Sequence, residues 1–285
     1  MTYFAFLAMF LGIPMLLMSA AVIHQHRTKW LPSALATWRP WVVMLGLCVV
    51  AFAYTTPWDN YLVATGVWWY DPALVTGIII GYVPVEEYTF FLLLPIASSL
   101  FTILLMCWMP FDPQLANNVG IRIAATLVAL LIWGVHVVLL VLSVADPANF
   151  RPFTYLSLEI VWAFIPIMVQ LAFGADILWR HRRMVLTAIA LATLYYSATD
   201  AIAIAAGTWT IDPAQSLSHI KFGGILPFEE FIFFLLVNIL VVFGLTLVLA
   251  EESQGRALAL RRYTVFRPFI DWLMKYSNHI TLEGV

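Results

Sequence analysis

Two pairs of adjacent glutamates each follow a proline and precede a pair of phenylalanines. Residues 84–91 read PVEEYTFF, and residues 227–234 read PFEEFIFF. Carboxyl groups at the edge of an apolar segment suit acid–base chemistry, because desolvation favours the neutral acid, which can then give up a proton. Aromatic faces stabilise a nearby cation and offer it no nucleophile. The two motifs therefore predict an acid that protonates a substrate and rings that stabilise a carbocation.

Each motif is the end of a longer pattern that occurs twice. The first copy contains Asp59, Gly66, Trp68 and Asp71-Pro72, and the second contains Asp200, Gly207, Trp209 and Asp212-Pro213. A structural alternative explains a single copy well, since proline is tolerated at the first position of a helix and glutamates in the first turn suit the helix dipole. We predict such helix starts at Pro84 and Pro227. Repetition of the whole pattern favours a site over a simple cap.

The elements that must position these residues are predicted to be membrane helices. Of 285 residues, 63% are hydrophobic and 11% are charged, with a mean hydropathy of +0.92, as in integral membrane proteins. Because a spanning helix needs about 20 apolar residues, the sequence predicts an all-α membrane protein with seven spanning helices. The predicted spans are 3–23, 41–57, 85–108, 121–144, 153–179, 184–207 and 228–250.

The basic residues predict an orientation. Under this seven-helix topology only Arg151 and Lys221 lie on one side, and the remaining Lys and Arg of the 14 in the chain lie on the other. The positive-inside rule makes the basic side cytoplasmic. We therefore predict a multi-pass protein of the cell membrane with its N-terminus outside and its C-terminal tail in the cytoplasm.

The repeated pattern also predicts an internal organisation. Residues 1–108 form a first three-helix repeat, 109–151 hold a connector with the fourth helix, and 152–250 form a second repeat. Because the connector contributes one helix, both repeats have the same orientation and both acidic motifs lie at the same depth. Residues 251–285, which mix Arg with Leu, Phe and Trp, are predicted to be an amphipathic cytoplasmic tail.

Several other acidic residues lie in or next to the predicted spans. Ionisable residues within a membrane are candidates for function, and Glu159 in the fifth helix is the first of these, either lining a cavity or making a structural hydrogen bond. Asp176 is expected to meet the neighbouring basic loop. Asp59 and Asp200 are expected to end the second and sixth helices, where a carboxylate opposes the dipole. Asp71-Pro72 and Asp212-Pro213 fit turns as well as site residues.

Several classes of function lack their signatures here. The sequence has no dinucleotide-binding glycine motif, no Walker motif and no Cys/His set with metal-ligand spacing. A net charge of −2 gives no basic field for nucleic acid. We therefore predict no cofactor, no metal and no nucleic-acid partner.

The two Pro-x-Glu-Glu-x-x-Phe-Phe motifs in a seven-helix protein, with the stretch from Trp162 through Pro166 to Asp176 between them, resemble the membrane-embedded carotenoid cyclases. These are lycopene cyclases that occur as two small subunits in some bacteria and as one fused chain in archaea, fungi and other bacteria. The resemblance covers roughly residues 1–250. It implies the fused form, embedded in a lipid membrane from which it takes its carotenoid substrate.

The resemblance implies a lycopene β-cyclase. A linear ψ-end of lycopene is protonated at its terminal double bond, the next double bond attacks the tertiary cation, and loss of a neighbouring proton leaves a β-ring. The reaction is an isomerisation and consumes nothing. On this basis Glu86 and Glu229 are predicted as principal acids, with Glu87 and Glu230 sharing the proton or acting as base. The residues predicted to bind substrate are Asp59, Asp200, Trp68, Trp209, Phe90, Phe91, Phe233, Phe234 and Glu159.

Other functions stay open at this stage. Within the same chemistry, the product could carry an ε-ring, or the substrate could be a C50 carotenoid. A proton-coupled transporter also has parallel repeats with carboxylates at one depth, although acids at helix mouths beside aromatic residues favour the enzyme. A non-catalytic assembly subunit is the third alternative.

Overall fold

The computed structural model describes residues 1–28, 31–110, 117–260, 262, 264, 267–268 and 271. In this part of the chain, seven helices are long and apolar enough to cross a membrane, which confirms the predicted all-α membrane fold. They are α1 (Tyr3–Thr28), α2 (Pro40–Ala64), α3 (Val85–Trp108), α4 (Val119–Ala145), α5 (Thr154–Arg180), α6 (Arg182–Ala205) and α7 (Phe228–Leu249).

The remaining elements are short and connect these helices. Helical turns occupy Ser33–Leu35, Pro147–Phe150 and Arg151–Phe153, and the tail begins with helix α8 (Glu251–Leu260). Short strands follow α2 and α6. They are β1 (Trp68–Tyr70), β2 (Ile79–Ile80), β3 (Val83–Pro84), β4 (Trp209–Ile211), β5 (Lys221–Phe222) and β6 (Leu226–Pro227).

The predicted end of α2 was wrong, and Pro84 and Pro227 lie one residue before the first helical position. α2 does not end at residue 57 but continues through Pro57 to Ala64, so Asp59 lies inside the helix; proline is tolerated in a membrane helix when neighbours satisfy the freed backbone. Pro84 and Pro227 were predicted at the first helical position. Their ψ angles of 152° and 149° are extended, and the helices begin one residue later.

Glycine reverses the chain after both α2 and α6. Gly66 and Gly207 both have φ 70°, a left-handed conformation that glycine adopts without steric cost. The amide of Val67 then bonds the carbonyl of Leu62 at 2.9 Å, and that of Thr208 bonds Ala203 at 3.0 Å. This is the hydrogen-bond pattern of a Schellman helix end, and it explains why glycine recurs in both copies of the pattern.

The two reversed segments meet each other in a small antiparallel sheet. β1 pairs with β4, with Trp69 opposite Thr210. Hydrogen bonds flank the pairing on both sides, from Asp71 N to the Thr208 carbonyl at 3.2 Å and from Asp212 N to the Val67 carbonyl at 2.8 Å. The pairing brings the two tryptophan-containing loops, and the helices that follow them, to one place.

Tyrosines compensate for the prolines in α1 and α5. Proline has no N–H, so Pro14 and Pro166 deprive the carbonyl four residues earlier of its helical partner, and hydrocarbon supplies no substitute. The hydroxyl of Tyr195 donates to the Phe10 carbonyl at 2.9 Å, and that of Tyr54 donates to the Trp162 carbonyl at 2.8 Å. In each case the tyrosine comes from the opposite half of the chain.

Tyr54→Phe and Tyr195→Phe are each expected to lower the free energy of unfolding by about 1 kcal/mol, the scale of interhelical hydrogen bonds in membranes. Unfolding of purified protein in mixed micelles measures this. The matched control is Tyr82→Phe, because Tyr82 is 63% exposed and its substitution should change the unfolding free energy by less than about 0.5 kcal/mol. Equal effects at all three positions would contradict the role given to the carbonyl bonds.

Ion pairs attach α8 to the end of α5. Arg256 donates to both carboxylate oxygens of Asp176, at 2.7 and 2.6 Å, and Arg180 pairs with Glu252 at 2.6 Å and Glu251 at 3.1 Å. The expectation that Asp176 meets the basic loop after α5 was wrong: its partner is in the tail, because the first turns of α8 pack beside that helix end. Of the tail cations, Arg261 and Lys275 lie outside the described residues.

Candidate active site

A cavity between the two halves of the chain is lined only by acidic and aromatic residues. Four of the lining residues carry carboxyl groups, and the others carry aromatic rings. The carboxyl groups belong to Asp59, Glu87, Asp200 and Glu230. The rings belong to Tyr3, Phe6, Trp58, Trp68, Tyr70, Phe90, Phe91, Tyr155, Trp209, Phe233 and Phe234.

The start of each motif helix separates its two glutamates. Successive residues project about 100° apart on a helix, and the second glutamate of each pair, Glu87 or Glu230, lines the cavity. The first glutamates turn towards the preceding loops. Glu86 accepts a hydrogen bond from Thr76 N at 2.6 Å, and Glu229 accepts one from Leu217 N at 2.5 Å. The structure thus places the predicted principal acids, Glu86 and Glu229, as anchors of the loops outside the cavity lining.

Glu229→Ala is expected to lower the free energy of unfolding by about 1–3 kcal/mol, because the partly buried Leu217 N–H loses its acceptor. Glu229→Gln keeps an oxygen at the same position and should cost much less. Unfolding measurements on the two variants test this, and an equal loss of stability in both would argue against the loop-anchoring role.

Tyrosine hydroxyls hold both glutamates that face the cavity. Tyr3 donates to Glu87 Oε2 at 2.5 Å, and Tyr155 donates to Glu230 Oε1 at 2.8 Å. The two tyrosines begin α1 and α5, and their own amides bond the loop carbonyls of Leu74 (2.8 Å) and Gln215 (2.9 Å). Both glutamates are more than nine-tenths buried, so these phenols replace water as their hydrogen-bond donors.

Tyr70 on β1 is a second hydrogen-bond donor to Glu87, whereas Glu230 has only Tyr155 as a phenol donor among the described residues. The Tyr70 hydroxyl donates to Glu87 Oε2 at 3.0 Å and accepts from Trp68 Nε1 at 3.1 Å. Burial beside the carboxyl group of Glu87 raises the pKa of Tyr70 well above its ordinary value. The Tyr70 phenol therefore keeps its proton at neutral pH and remains a donor.

The two aspartates of the pattern are fully buried but differ in their contacts. Asp59 is 0% and Asp200 1% exposed. Asp200 accepts a hydrogen bond from Trp209 Nε1 at 3.1 Å, whereas within the described residues neither oxygen of Asp59 has a hydrogen-bond partner. A buried carboxyl group without a donor is costly in its charged form. Asp59 is therefore best accommodated as the neutral acid.

Aromatic rings form the remaining walls. Trp58 stacks on Phe233 with an interplanar angle of 5° and a centroid separation of 6.1 Å, and on Trp162 at 4.4 Å. Phe90 meets Phe234 edge to face at 6.4 Å. The faces of such rings attract a cation that forms beside them, and phenyl rings offer it no nucleophile.

Glu159 lies behind this wall. It is 0% exposed and does not line the cavity. Within the described residues no donor lies at full hydrogen-bond distance from its carboxyl oxygens, but Tyr155, Glu230 and Glu229 are close enough to interact with it. This placement does not match the predicted cavity-lining role. A structural hydrogen bond stays a prediction, with Tyr155 as its nearest donor.

The two Asp-Pro pairs of the repeated pattern form turns. Asp71 Oδ1 accepts from Ala73 N at 2.9 Å, and Asp212 Oδ1 accepts from Ala214 N at 3.0 Å. Both aspartates therefore shape the loop that leads towards the glutamates, and neither lines the cavity.

Sequence reasoning missed the cavity residues outside the repeated motif: Tyr3, Phe6, Trp58, Tyr70 and Tyr155. For two of them a signal existed. Tyr3 and Tyr155 stand the same number of residues before Pro14 and Pro166, so the sequence pattern itself extends to these tyrosines. Tyr70 and Trp58 have no equivalent in the other half and carry no such signal.

The arrangement can move a proton within a dry site. It combines buried carboxyl groups, phenols that hydrogen-bond them, and aromatic walls able to stabilise a cation. Both halves of the chain contribute to it.

Comparison with known proteins agrees with this chemistry. The family model for lycopene cyclase matches residues 1–105 and 152–248. A lycopene beta-cyclase of Halobacterium salinarum (strain R1) is 36% identical over 203 residues, which are 70% of this chain and 79% of the relative. The chain belongs to the lycopene cyclase family.

Fungal members of the family are longer. The bifunctional lycopene cyclase/phytoene synthases of Podospora anserina and Phycomyces blakesleeanus are each 34% identical over 209 residues, which are 70% of this chain but only 34% and 32% of those proteins. The two segments that match the lycopene cyclase family contain every residue lining the cavity. No solved structure matches the chain.

Proposed function

We propose that this member of the family is a lycopene β-cyclase, which converts the linear ψ-ends of lycopene into β-rings. A carboxyl proton is transferred to the terminal double bond, so an O–H bond breaks, a C–H bond forms and a tertiary cation results. The next double bond attacks that cation and closes a six-membered ring. A carboxylate then removes a neighbouring proton, and the electrons of that C–H bond form the ring double bond. The product is an isomer of the substrate.

One observation carries this proposal: four buried carboxyl groups and a wall made otherwise of aromatic rings surround a single cavity. The reaction needs an acid, a base, stabilisation of a cation and exclusion of water. We place the acid and base among Asp59, Glu87, Asp200 and Glu230. Glu86 and Glu229 serve to hold the loops that close the cavity.

We further propose that residues 1–108 and 152–250 are repeats with an internal two-fold arrangement, joined through α4. Its support is the recurrence of contacts at equivalent positions. Trp69 pairs with Thr210, the Glu86 and Glu229 loop bonds match, and the Tyr3 and Tyr155 bonds to Glu87 and Glu230 match. We also propose a cell-membrane location, with the N-terminus outside and α8 in the cytoplasm, on the distribution of Lys and Arg.

Pigment conversion tests the activity. The full chain is expressed in a bacterial host that accumulates lycopene, and extracts are separated by chromatography with absorption spectra. We expect γ-carotene and β-carotene, with lycopene unchanged in a host carrying an inactive Glu87→Gln/Glu230→Gln variant. The variant must reach the membrane in the same amount as the unmodified protein.

Other outcomes would replace the proposal. An ε-ring product would show that the proton is lost from a different carbon of the new ring. Conversion only of a C50 carotenoid would show that the substrate is not lycopene. Unchanged pigment in every host, with the protein in the membrane, would overturn the cyclase activity. Proton-coupled uptake of a solute into vesicles that contain the protein would then identify a transporter. If deletion of this protein in its own host abolished the activity of another cyclase, the protein would be an assembly subunit.

A further inference from the structure

The two glutamates that face the cavity have unequal hydrogen bonds. Glu87 Oε2 accepts from two phenols, Tyr3 at 2.5 Å and Tyr70 at 3.0 Å. Glu230 accepts from one phenol, Tyr155, at 2.8 Å. Counted from the motif tryptophan of each half, the position of Tyr70 is occupied by Ile211, which has no donor. Hydrogen bonds donated to a carboxylate stabilise its charged form, so the anion is better supported at Glu87.

The surroundings of Glu230 contain an additional carboxyl group. Glu159 follows Tyr155 by one helical turn and has Glu230 and Glu229 as electrostatic neighbours. In the other half, the residue one turn after Tyr3 is Leu7. No ion pair formed by the described residues includes Glu159 or Glu230. Two buried carboxyl groups without a cation cannot both ionise, so this pair retains a proton.

The other acidic neighbours occur in both halves. Glu86 and Glu229 each bond a loop amide, and Asp59 and Asp200 occupy equivalent places beside Glu87 and Glu230. Asp59 has no donor within the described residues and stands next to the better supported anion, where a neutral aspartic acid avoids a second charge. The distinguishing residues are therefore Tyr70 in one half and Glu159 in the other.

We propose that Glu230 is the acid that starts ring closure and that Glu87 is the base that ends it, with Tyr70 as the positioning residue that supports the Glu87 anion. This inference rests on the proposed cyclase function and assigns direction to it. The Glu230 O–H proton goes to the terminal double bond, and the proton lost from the new ring goes to Glu87. One proton thus crosses the cavity in each ring closure and exchanges with solvent before the next.

Deuterium transfer distinguishes the two glutamates. Purified protein in D₂O is incubated with lycopene, and pigment is analysed by mass spectrometry and chromatography. The unmodified protein should place one deuterium in each β-ring. Glu230→Gln should leave lycopene unlabelled and linear, because no acid is present. Glu87→Gln should still label the pigment, as deuterated lycopene or as a ring with its double bond displaced, because protonation proceeds and correct deprotonation does not.

The reverse pattern, with labelling only in Glu230→Gln, would overturn the assignment while leaving the cyclase function intact. Labelled β-rings from both single variants would overturn it as well, because other groups would then serve as acid and base. Failure of the unmodified protein to form rings would instead reject the proposed function.

The pH dependence of turnover tests the contact that positions Glu87. Tyr70→Phe removes a donor to the Glu87 anion, so the acidic limb should move to higher pH by roughly one unit. A merely structural role of Tyr70 would lower turnover without moving this limb, and that result would contradict the inference.

Discussion

Replacing Glu87 and Glu230 together by glutamine is expected to lower ring formation by at least about 10²-fold, the lower range of what general acid–base catalysis contributes. Glutamine has nearly the shape of glutamate and can still accept the hydrogen bonds from Tyr3 and Tyr155, but it neither gives nor takes a proton. Both side chains line the cavity. Because glutamine has nearly the same shape, the substitution leaves the cavity walls otherwise unchanged. Initial rates of lycopene conversion in detergent measure the effect.

The matched control is the same substitution one residue earlier in each motif. Glu86→Gln/Glu229→Gln keeps acceptors for the loop amides of Thr76 and Leu217, and we expect its rate to stay within about tenfold of the unmodified protein. If this control loses as much activity as the first double variant, the assignment made from sequence, with Glu86 and Glu229 as principal acids, is restored. Full activity in both double variants would remove all four glutamates from the mechanism.

Asp176→Ala is expected to lower the free energy of unfolding by about 3 kcal/mol, because it leaves the guanidinium of Arg256 beside a mostly buried helix end without its carboxylate. The side chain of Asp176 is 2% exposed and that of Arg256 18%, so solvent replaces little of what is lost. The amide of Asn118, which bonds Asp176 Oδ2 at 2.9 Å, loses its acceptor too. Unfolding midpoints in mixed micelles test this prediction.

An exposed ion pair provides the control for Asp176→Ala. Arg151 and Asp212 approach only to 3.8 Å, and the Arg151 side chain is 53% exposed, so Arg151→Ala should change the unfolding free energy by less than about 1 kcal/mol. Asp176 does not line the cavity, and the rate per folded molecule should therefore be unchanged in Asp176→Ala. A specific loss of rate without loss of stability would contradict the purely structural role of this ion pair.

Hydrophobic composition was sufficient to predict the seven helices because a membrane leaves little choice of structure. Segments of about 20 apolar residues must satisfy their own backbone groups, and predicted bounds such as 85–108 match Val85–Trp108. Composition placed one helix end poorly. The predicted span ended at residue 57, but the helix continues through Pro57 to Ala64, so Asp59 lies in its interior and not at its end.

The site was less predictable than the helices because it depends on rotation and on contacts between distant residues. The repeated pattern correctly indicated which segments matter, but which of two adjacent glutamates faces inward depends on where the helix begins. If the helix after Pro84 began one residue earlier or later, each of its side chains would point about 100° away from its observed direction. Contacts such as Tyr3 with Glu87 join residues 84 positions apart, and no local pattern encodes them. The position of the Glu159 carboxyl group is visible only once α5 and α7 are packed.

The hydrogen bonds that Tyr54 and Tyr195 donate to carbonyls in the opposite half of the chain have a consequence for biosynthesis. The carbonyl of Phe10 in α1 receives its donor from Tyr195 in α6, a residue that is translated long after α1 has entered the bilayer. Until then that carbonyl lacks both this donor and the helical partner removed by Pro14. Packing of α6 against α1 supplies the missing hydrogen bond, and the same meeting of the two halves encloses the carboxyl groups. Only the finished polypeptide acquires a reactive interior.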